Sequence, residues 1–307
     1  MRFRDISGQD SITATVVNAM LETSNVLNNA EFYSIIGNAD YTRKSASATG
    51  GRFRELNSDY PANQVDPQFA NPTLTIFGDK VEVDRAHERR GSDIPSVRSS
   101  ELLSFAKNLG KEFQNYFFNG DKAVDAKHFN GLKKIVVGNQ KITPAADGIQ
   151  VLLGNTNAAK ESQQKFLENL DVLIQSVDGG AQAISMDGKT LSRLTRIAEG
   201  QVQWDVDEFG VPLPRYNRIP ILVAGYNKSG GLILPHNEVC GNSVNCTSIY
   251  GYRFGEKSDL SFATNIGAEV KDLGLVGVHY THSVDLDLDL VLLNAKSASR
   301  LEGIIIP

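Results

Sequence analysis

Leu102-Leu-Ser-Phe-Ala-Lys-Asn-Leu-Gly-Lys-Glu-Phe-Gln-Asn-Tyr-Phe-Phe-Asn-Gly-Asp121 carries the strongest helical signal in the chain. Leu102, Phe105, Ala106, Leu109, Phe113, Tyr116 and Phe117 recur at steps of three and four and make one apolar stripe. Pro95 suits a first helical turn, so the start falls near Asp93 or Ser96, and Asn119-Gly-Asp stops the helix. About 22 residues give a rod of roughly 33 Å. Such a rod with one apolar face needs a second element to cover it.

Around it lie 307 residues that are 41% hydrophobic and 22% charged, the composition of a soluble folded chain. A net charge of −5, from 31 basic and 36 acidic residues, excludes a strongly basic nucleic-acid binder. Glycine reaches 27 residues and aromatics only 8%, which points to much extended and loop structure. Met1-Arg-Phe-Arg-Asp leads straight into a polar stretch, so the start reads as that of a cytoplasmically made protein. The longest apolar runs, 219–224 and 304–306, are far short of the ~20 residues that span a bilayer.

Residues 11–36 carry Ile12, Val16, Met20, Val26 and Leu27 at helical spacing, and are expected as a weak helix or arm that lies on something else. From 38 to 71 almost no periodic apolar face remains. Arg43, Lys44, Arg52 and Arg54 fall within 41–54 without one acidic neighbour. Thr73 to Asp84 alternates as a strand, with Val81 and Val83 on one face and Glu82 and Asp84 on the other. If 38–71 runs out and 73–90 runs back, the projection is roughly 50 to 65 Å long. Further helices are expected from Asn157, with Phe166, Leu170, Leu173 and Val177 inward, and from Thr190 to Glu199. Short strands follow at 219–223, 247–254 and 277–293. The class is mixed α+β.

His279 and His282 are three apart, so on a strand they point to opposite faces and do not readily share a metal or substrate. Val284-Asp-Leu-Asp-Leu-Asp-Leu-Val291 alternates strictly, placing Asp285, Asp287 and Asp289 on one face. Same-face neighbours sit about 6.6 to 7 Å apart, too far for one cation to hold all three. Three readings stay open: a solvated face, a face for a basic partner, and a divalent-ion site of a metal-dependent enzyme. From Gly255 onward four basic residues face eight acidic ones, so this tail complements the basic 41–54 stretch of another copy. Cys240 and Cys246 read as loop thiols, free or joined in a small disulfide; with His236 they lack the spacing of a structural zinc site. No phosphate loop, nucleophile elbow or paired-cysteine motif occurs, and Gly50-Gly51, Gly179-Gly180 and Gly230-Gly231 read as turns. No catalytic, cofactor or metal residue is assigned.

Three stretches, read in order, resemble the major capsid proteins of tailed phages, which share the Hong-Kong-97-type shell fold. They are Gln114 to Ile135, with Asn119-Gly-Asp and Phe129-Asn-Gly-Leu; Val206 to Leu222, with Tyr216-Asn-Arg-Ile-Pro-Ile; and Thr247 to Gly255 with Asp272-Leu-Gly and Ala298-Ser-Arg-Leu-Glu-Gly-Ile304. The resemblance implies an N-terminal arm (1–37), an extended loop (38–92), a spine helix with a peripheral domain (93–139), an axial domain (140–270) and a peripheral return strand (271–307). It implies a non-enzymatic, cofactor-free protein that assembles with itself into hexamers and pentamers of an icosahedral or prolate shell. That shell would enclose double-stranded DNA without specific binding, in a virion built in the host cytoplasm. A portal, decoration proteins and, with no room before Met1 for a fused segment, a separate scaffolding protein are implied partners. An encapsulin-like nanocompartment shell around cargo enzymes is the alternative. No motif assigns a covalent cross-link between subunits to any lysine.

Overall fold

Residues 1–8, 10–37, 42–43, 53–60, 69–91, 93–198, 200–206 and 210–307 are described by the computed structural model. Lys44 and Arg52 lie outside them, and Arg43 is described only in its backbone. After a short α1 (Phe3–Ile6), Asp10 caps α2 (Ser11–Thr23) by accepting from the Thr13 N–H, and Ser24 caps α3 (Asn25–Asn29) in the same way. Then come β1 (Phe32–Ser34), β2 (Thr42–Arg43), β3 (Phe69–Ala70), β4 (Thr75–Asp84) and α4 (Ala86–Arg89). The long helix is α5 (Ile94–Asn119), 26 residues with Pro95 in its first turn, and α6 (Leu132–Ile135) follows. Beyond lie β5 (Lys141–Ile142), β6 (Ile149–Gln150), α7 (Asn157–Ser176), β7 (Ala183–Met186), α8 (Gly188–Ile197), β8 (Val202–Val206), β9 (Pro212–Tyr216) and β10 (Ile219–Val223). The chain closes with β11 (Glu238–Cys240), β12 (Ser243–Tyr252), β13 (Leu260–Thr264), β14 (Glu269–Val276), β15 (His279–Leu292) and β16 (Ala298–Ile305).

Two sheets organise these elements. In the first, β15 pairs on one side with β13 and β14 and on the other with β4, while β1 adds in parallel to β13. In the second the order is β5-β16-β12-β7-β10-β9-β8, with β6 on β16 and β11 on β12. Helices α2 and α5 cover the first sheet. The α5 stripe buries Phe113 and Phe117 against Phe262 of β13, with ring centroids 5.1 and 6.1 Å away. Helices α7 and α8 cover the second, where Phe166, Leu170, Leu173 and Leu194 meet Ile184, Ile249 and Leu301. Tyr250 and Tyr252 of β12 pack on Phe118 and Phe117, so the two layers share one core.

The structure departs from the sequence expectations at several points. Among the described residues strand β4 pairs not with the 38–71 stretch but antiparallel with β15, from Asp84 opposite His279 to Thr75 opposite Leu288. The described loop base is instead the pair β2–β3, Thr42 opposite Ala70. The long β15 edge offers β4 a full ladder and buries Val83, which an isolated hairpin could not do. Helices α2 and α3, in the stretch expected as a weak helix or arm lying on something else, pack on the chain's own α5, burying Val16, Val17, Met20 and Leu21. Strand β13 joins the first sheet already at Leu260, and β16 crosses to the second sheet. Helix α8 opens at Gly188, because Asp187 caps it. Cys240 and Cys246 are free thiols buried on paired strands, not loop residues.

Candidate assembly surfaces

The motif residues prove to be structural. Gly120 and Gly131 lie back to back: the Gly131 N–H donates to the Gly120 carbonyl at 2.8 Å, and a Cβ on Gly131 would meet the Gly120 nitrogen at the same distance. Asn119 donates to the Ile233 carbonyl at 2.7 Å, tying the end of α5 to the second layer. In Tyr216-Asn-Arg-Ile, Asn217 and Arg218 take positive φ and close the two-residue β9–β10 turn, and the Tyr216 hydroxyl donates to Asp171 at 3.1 Å. Arg300 of β16 is buried and donates to Glu238 and to the Ser248 hydroxyl, both at 3.0 Å, while Lys133 of α6 reaches Glu238 at 2.7 Å. Burial raises the Glu238 carboxyl, but Arg300, Lys133 and Ser248 more than offset it and hold it below its ordinary value.

The three aspartates share one face of β15, but their surroundings grade along it. Asp285 is exposed, Asp287 half-buried and Asp289 buried. Asp289 is therefore no solvated residue: it accepts from the Thr73 N–H at 2.9 Å, at the exit of the loop, and from Lys122 at 3.4 Å. Burial pushes its carboxyl above the ordinary value, more than Lys122 and Thr73 lower it. Among the described residues no three His, Cys, Asp or Glu side chains converge as metal ligands. His236 meets Asp187 at 2.8 Å instead. His279 is half-buried beside Glu82, whereas His282 is buried.

His282 belongs to a cluster that sequence reasoning missed. Arg98 of α5 donates from one nitrogen to both Asp272 oxygens at 2.7 Å and lies 3.1 Å from His282 Nε2. Partners separated by 174 and 184 residues leave no local signal. The cluster floors a groove of about 360 Å³ between α2 and α5 that includes Ile12, Leu102 and Leu103.

Three projecting features carry large apolar side chains in water. On the loop, Phe53 is fully exposed and Leu56 is 90% exposed. The β8–β9 hairpin presents Trp204, the only tryptophan, with Val206 and Val211. The β14–β15 ribbon presents Leu275, Val276 and Val278. Scattered exposed apolar residues are ordinary, but clusters on projections mark contact sites. Arg54, expected to reach another copy, is engaged in its own loop: its guanidinium donates to the Ser58 carbonyl at 3.1 Å and covers the Tyr60 ring. No helix among the described residues is long and apolar enough to cross a membrane.

No family model matches the sequence, and no curated protein is recognisably similar to it in sequence. The chain is similar to the subunit of the holo-SrpI encapsulin complex from Synechococcus elongatus (TM-score 0.62, 12% identity, 98% of this chain and 91% of that one). It is equally similar to the capsid of a native GTA particle (TM-score 0.61, 12% identity, 97% and 93%). The procapsid of satellite phage P4 matches at TM-score 0.56 and 12% identity, over 98% and 93%. The fold is the Hong-Kong-97-type shell fold, as the resemblance implied.

Proposed function

We propose that this chain is a shell-forming structural protein, the major capsid protein of a tailed phage, whose copies close as hexamers and pentamers around double-stranded DNA. The observation that carries the reading is the combination of a shell-type fold along nearly the whole chain with three segments that keep large apolar side chains about half or more exposed in the lone subunit, Phe53 and Leu56 almost fully. A net charge of −5 suits a wall that confines DNA without gripping it. Residues 42–72 serve as the extended loop, α5 as the spine of a peripheral layer, and the second sheet with α7 and α8 as the axial layer. A portal, a separate scaffolding protein and decoration proteins are the partners this reading calls for, and assembly takes place in the host cytoplasm.

A second reading, an encapsulin-like nanocompartment shell around cargo enzymes, is favoured by one comparison, the likeness to an encapsulin complex. Particles purified from cells are treated with nuclease and assayed for protected nucleic acid and for co-purifying protein. Protected double-stranded DNA supports the capsid reading. Particles filled with a stoichiometric enzyme and no nucleic acid overturn it.

A further inference from the structure

Between Asp84 and Leu102 little holds the chain on the first sheet. Among the described residues of that stretch Ile94 alone is buried, and α4 buries nothing. Asp93, at the N-cap of α5, makes no side-chain cap hydrogen bond. A backbone tie runs from the Arg85 N–H to the Val278 carbonyl at 3.0 Å. Beyond Ile94, the anchor of the first two turns of α5 is Arg98. Its guanidinium meets Asp272 of β14 and His282 of β15 and lies over the Tyr280 ring, 4.9 Å from its centroid. A segment held this sparsely opens locally well before the domain unfolds, so the state of its polar anchor decides whether it stays closed.

The anchor suits one charge state of His282. Nε2 lies 3.1 Å from an Arg98 nitrogen that can only donate, so it accepts, and the ring proton sits on Nδ1, 3.8 Å from Asp272 Oδ1. The ionisable groups that face the ring are Arg98 of α5, Asp272 opposite it on β14 and, two residues away on its own strand, Tyr280. Opposite it on β4 is Val81, with Lys80 and Glu82 turned to the other face of the sheet. Helix α2 brings Ser11, Ile12 and Thr15 to the same groove, none of them ionisable. Protonation puts a second N–H and a full charge on Nε2, against the Arg98 N–H. Two donors do not share 3.1 Å, one carboxylate then serves two cations, and a ring only 6% exposed is offered little water instead. The ring's pKa follows suit: burial lowers it most, Asp272 raises it, Arg98 lowers it again, and the net lies below the ordinary histidine value.

We propose that Arg98, Asp272 and His282 form an acid-sensitive latch, which holds α4 and the first two turns of α5 on the sheet while His282 is neutral and releases them when it takes a proton. Release exposes the ring to water, where it binds a proton near about pH 6.5; the closed latch binds one only at lower pH. Closure is therefore at full strength above about pH 6.5. Below it the open fraction rises by up to about tenfold for each pH unit, until the closed state is protonated too. Burial raises the Asp272 carboxyl, but the Gly274 N–H and Arg98 bring it below its ordinary value, so it keeps its charge through this window. The latch belongs to the single subunit and does not depend on the shell reading.

Hydrogen–deuterium exchange of the purified chain, followed by mass spectrometry from about pH 7.5 to about pH 5 and corrected for the intrinsic pH dependence of amide exchange, reads the opening. Protection of the amides of residues 98–102 should fall about tenfold per pH unit below about pH 6.5, while that of α7, on the other sheet, holds constant. His282→Gln keeps an acceptor for Arg98, and leaves His87 and His279 in place, but cannot take the proton. Its protection should match the wild type at the upper pH and stay flat to the lower one. Wild-type protection that is flat with pH, or a variant that loses protection as the wild type does, overturns the latch. A second measurement needs no variant: NMR of the wild-type imidazole should show His282 protonating below the ordinary histidine value, and protonation at or above that value overturns the latch as well.

Discussion

Replacing Gly110 by alanine probes the contact that holds the N-terminal helices on the chain's own spine. In the interior of an exposed helix the change would stabilise by about 1 kcal/mol, because glycine is the poorer helix former. Here a Cβ on Gly110 would meet the Met20 carbonyl oxygen at 2.6 Å and Met20 Cα at 3.1 Å, and would collide with the Thr23 hydroxyl. Two of these neighbours are backbone, so α2 must move. Overpacking of this sort costs about 1 to 3 kcal/mol. Displacing Thr23 also breaks its hydrogen bond to the Lys107 carbonyl, now 3.1 Å, for about 1 kcal/mol. The net expectation is a loss of about 2 kcal/mol, read as a lowered urea midpoint of the unassembled subunit. Asn108→Ala, on the exposed face of the same helix, is the control and should be neutral or slightly stabilising. A Gly110→Ala subunit as stable as the wild type, or more so, would refute the close packing of α2 on α5.

Glu238→Ala removes the nearer carboxylate from the buried Arg300 guanidinium, leaving Glu302 at 3.8 Å and the Ser248 hydroxyl, and should lower subunit stability by about 3 kcal/mol, measured by denaturant unfolding. Asp187 caps α8 and binds His236; burial raises its carboxyl, but the His236 hydrogen bond and the Lys189 N–H bring it below its ordinary value. Asp187→Ala should therefore cost about 1 to 2 kcal/mol at neutral pH, a difference that shrinks as pH falls through the lowered folded-state value. Asp289 has the opposite sign: its folded-state pKa lies above the unfolded one, so its charge costs stability at neutral pH and protonation favours the folded subunit. Asp289→Asn keeps an acceptor for Thr73, so unfolding midpoints across pH should show equal or greater stability at pH 7 and no gain on mild acidification. Asp285→Lys, at an exposed position, should leave the subunit within about 0.5 kcal/mol of wild type yet weaken assembly most at low salt; unchanged assembly across a salt series would remove that strand from the interface.

Where periodicity is local the sequence was readable. The α5 stripe, the α7 stripe and the alternation of β15 each declare their buried face within a few turns or residues, and the structure buries Phe113, Phe166 and Leu288 accordingly. Pairing partners were not readable. Strand β4 has the same alternation whether it joins a neighbouring hairpin arm or β15, some 200 residues on, and only the ladder decides. The three aspartates look equivalent in sequence, but the loop exit at Thr73 covers one end of the strand and buries Asp289 alone. Residues 11–36 are rich in Asn, Ser and Thr, so their apolar spacing reads only as a weak helix or arm that lies on something else. Asx and hydroxyl caps at Asp10 and Ser24 absorb that polarity at helix ends, freeing Val16 and Met20 to bury. The Arg98, Asp272 and His282 cluster joins three distant segments and is a product of topology alone.

The central claim is that copies of this chain build a closed wall. Electron microscopy of the purified chain, expressed alone and together with its genomic neighbours, tests it most directly. Hollow particles of uniform diameter with five- and six-fold clusters of subunits are the predicted result; monomers or a small open oligomer under both conditions would contradict it.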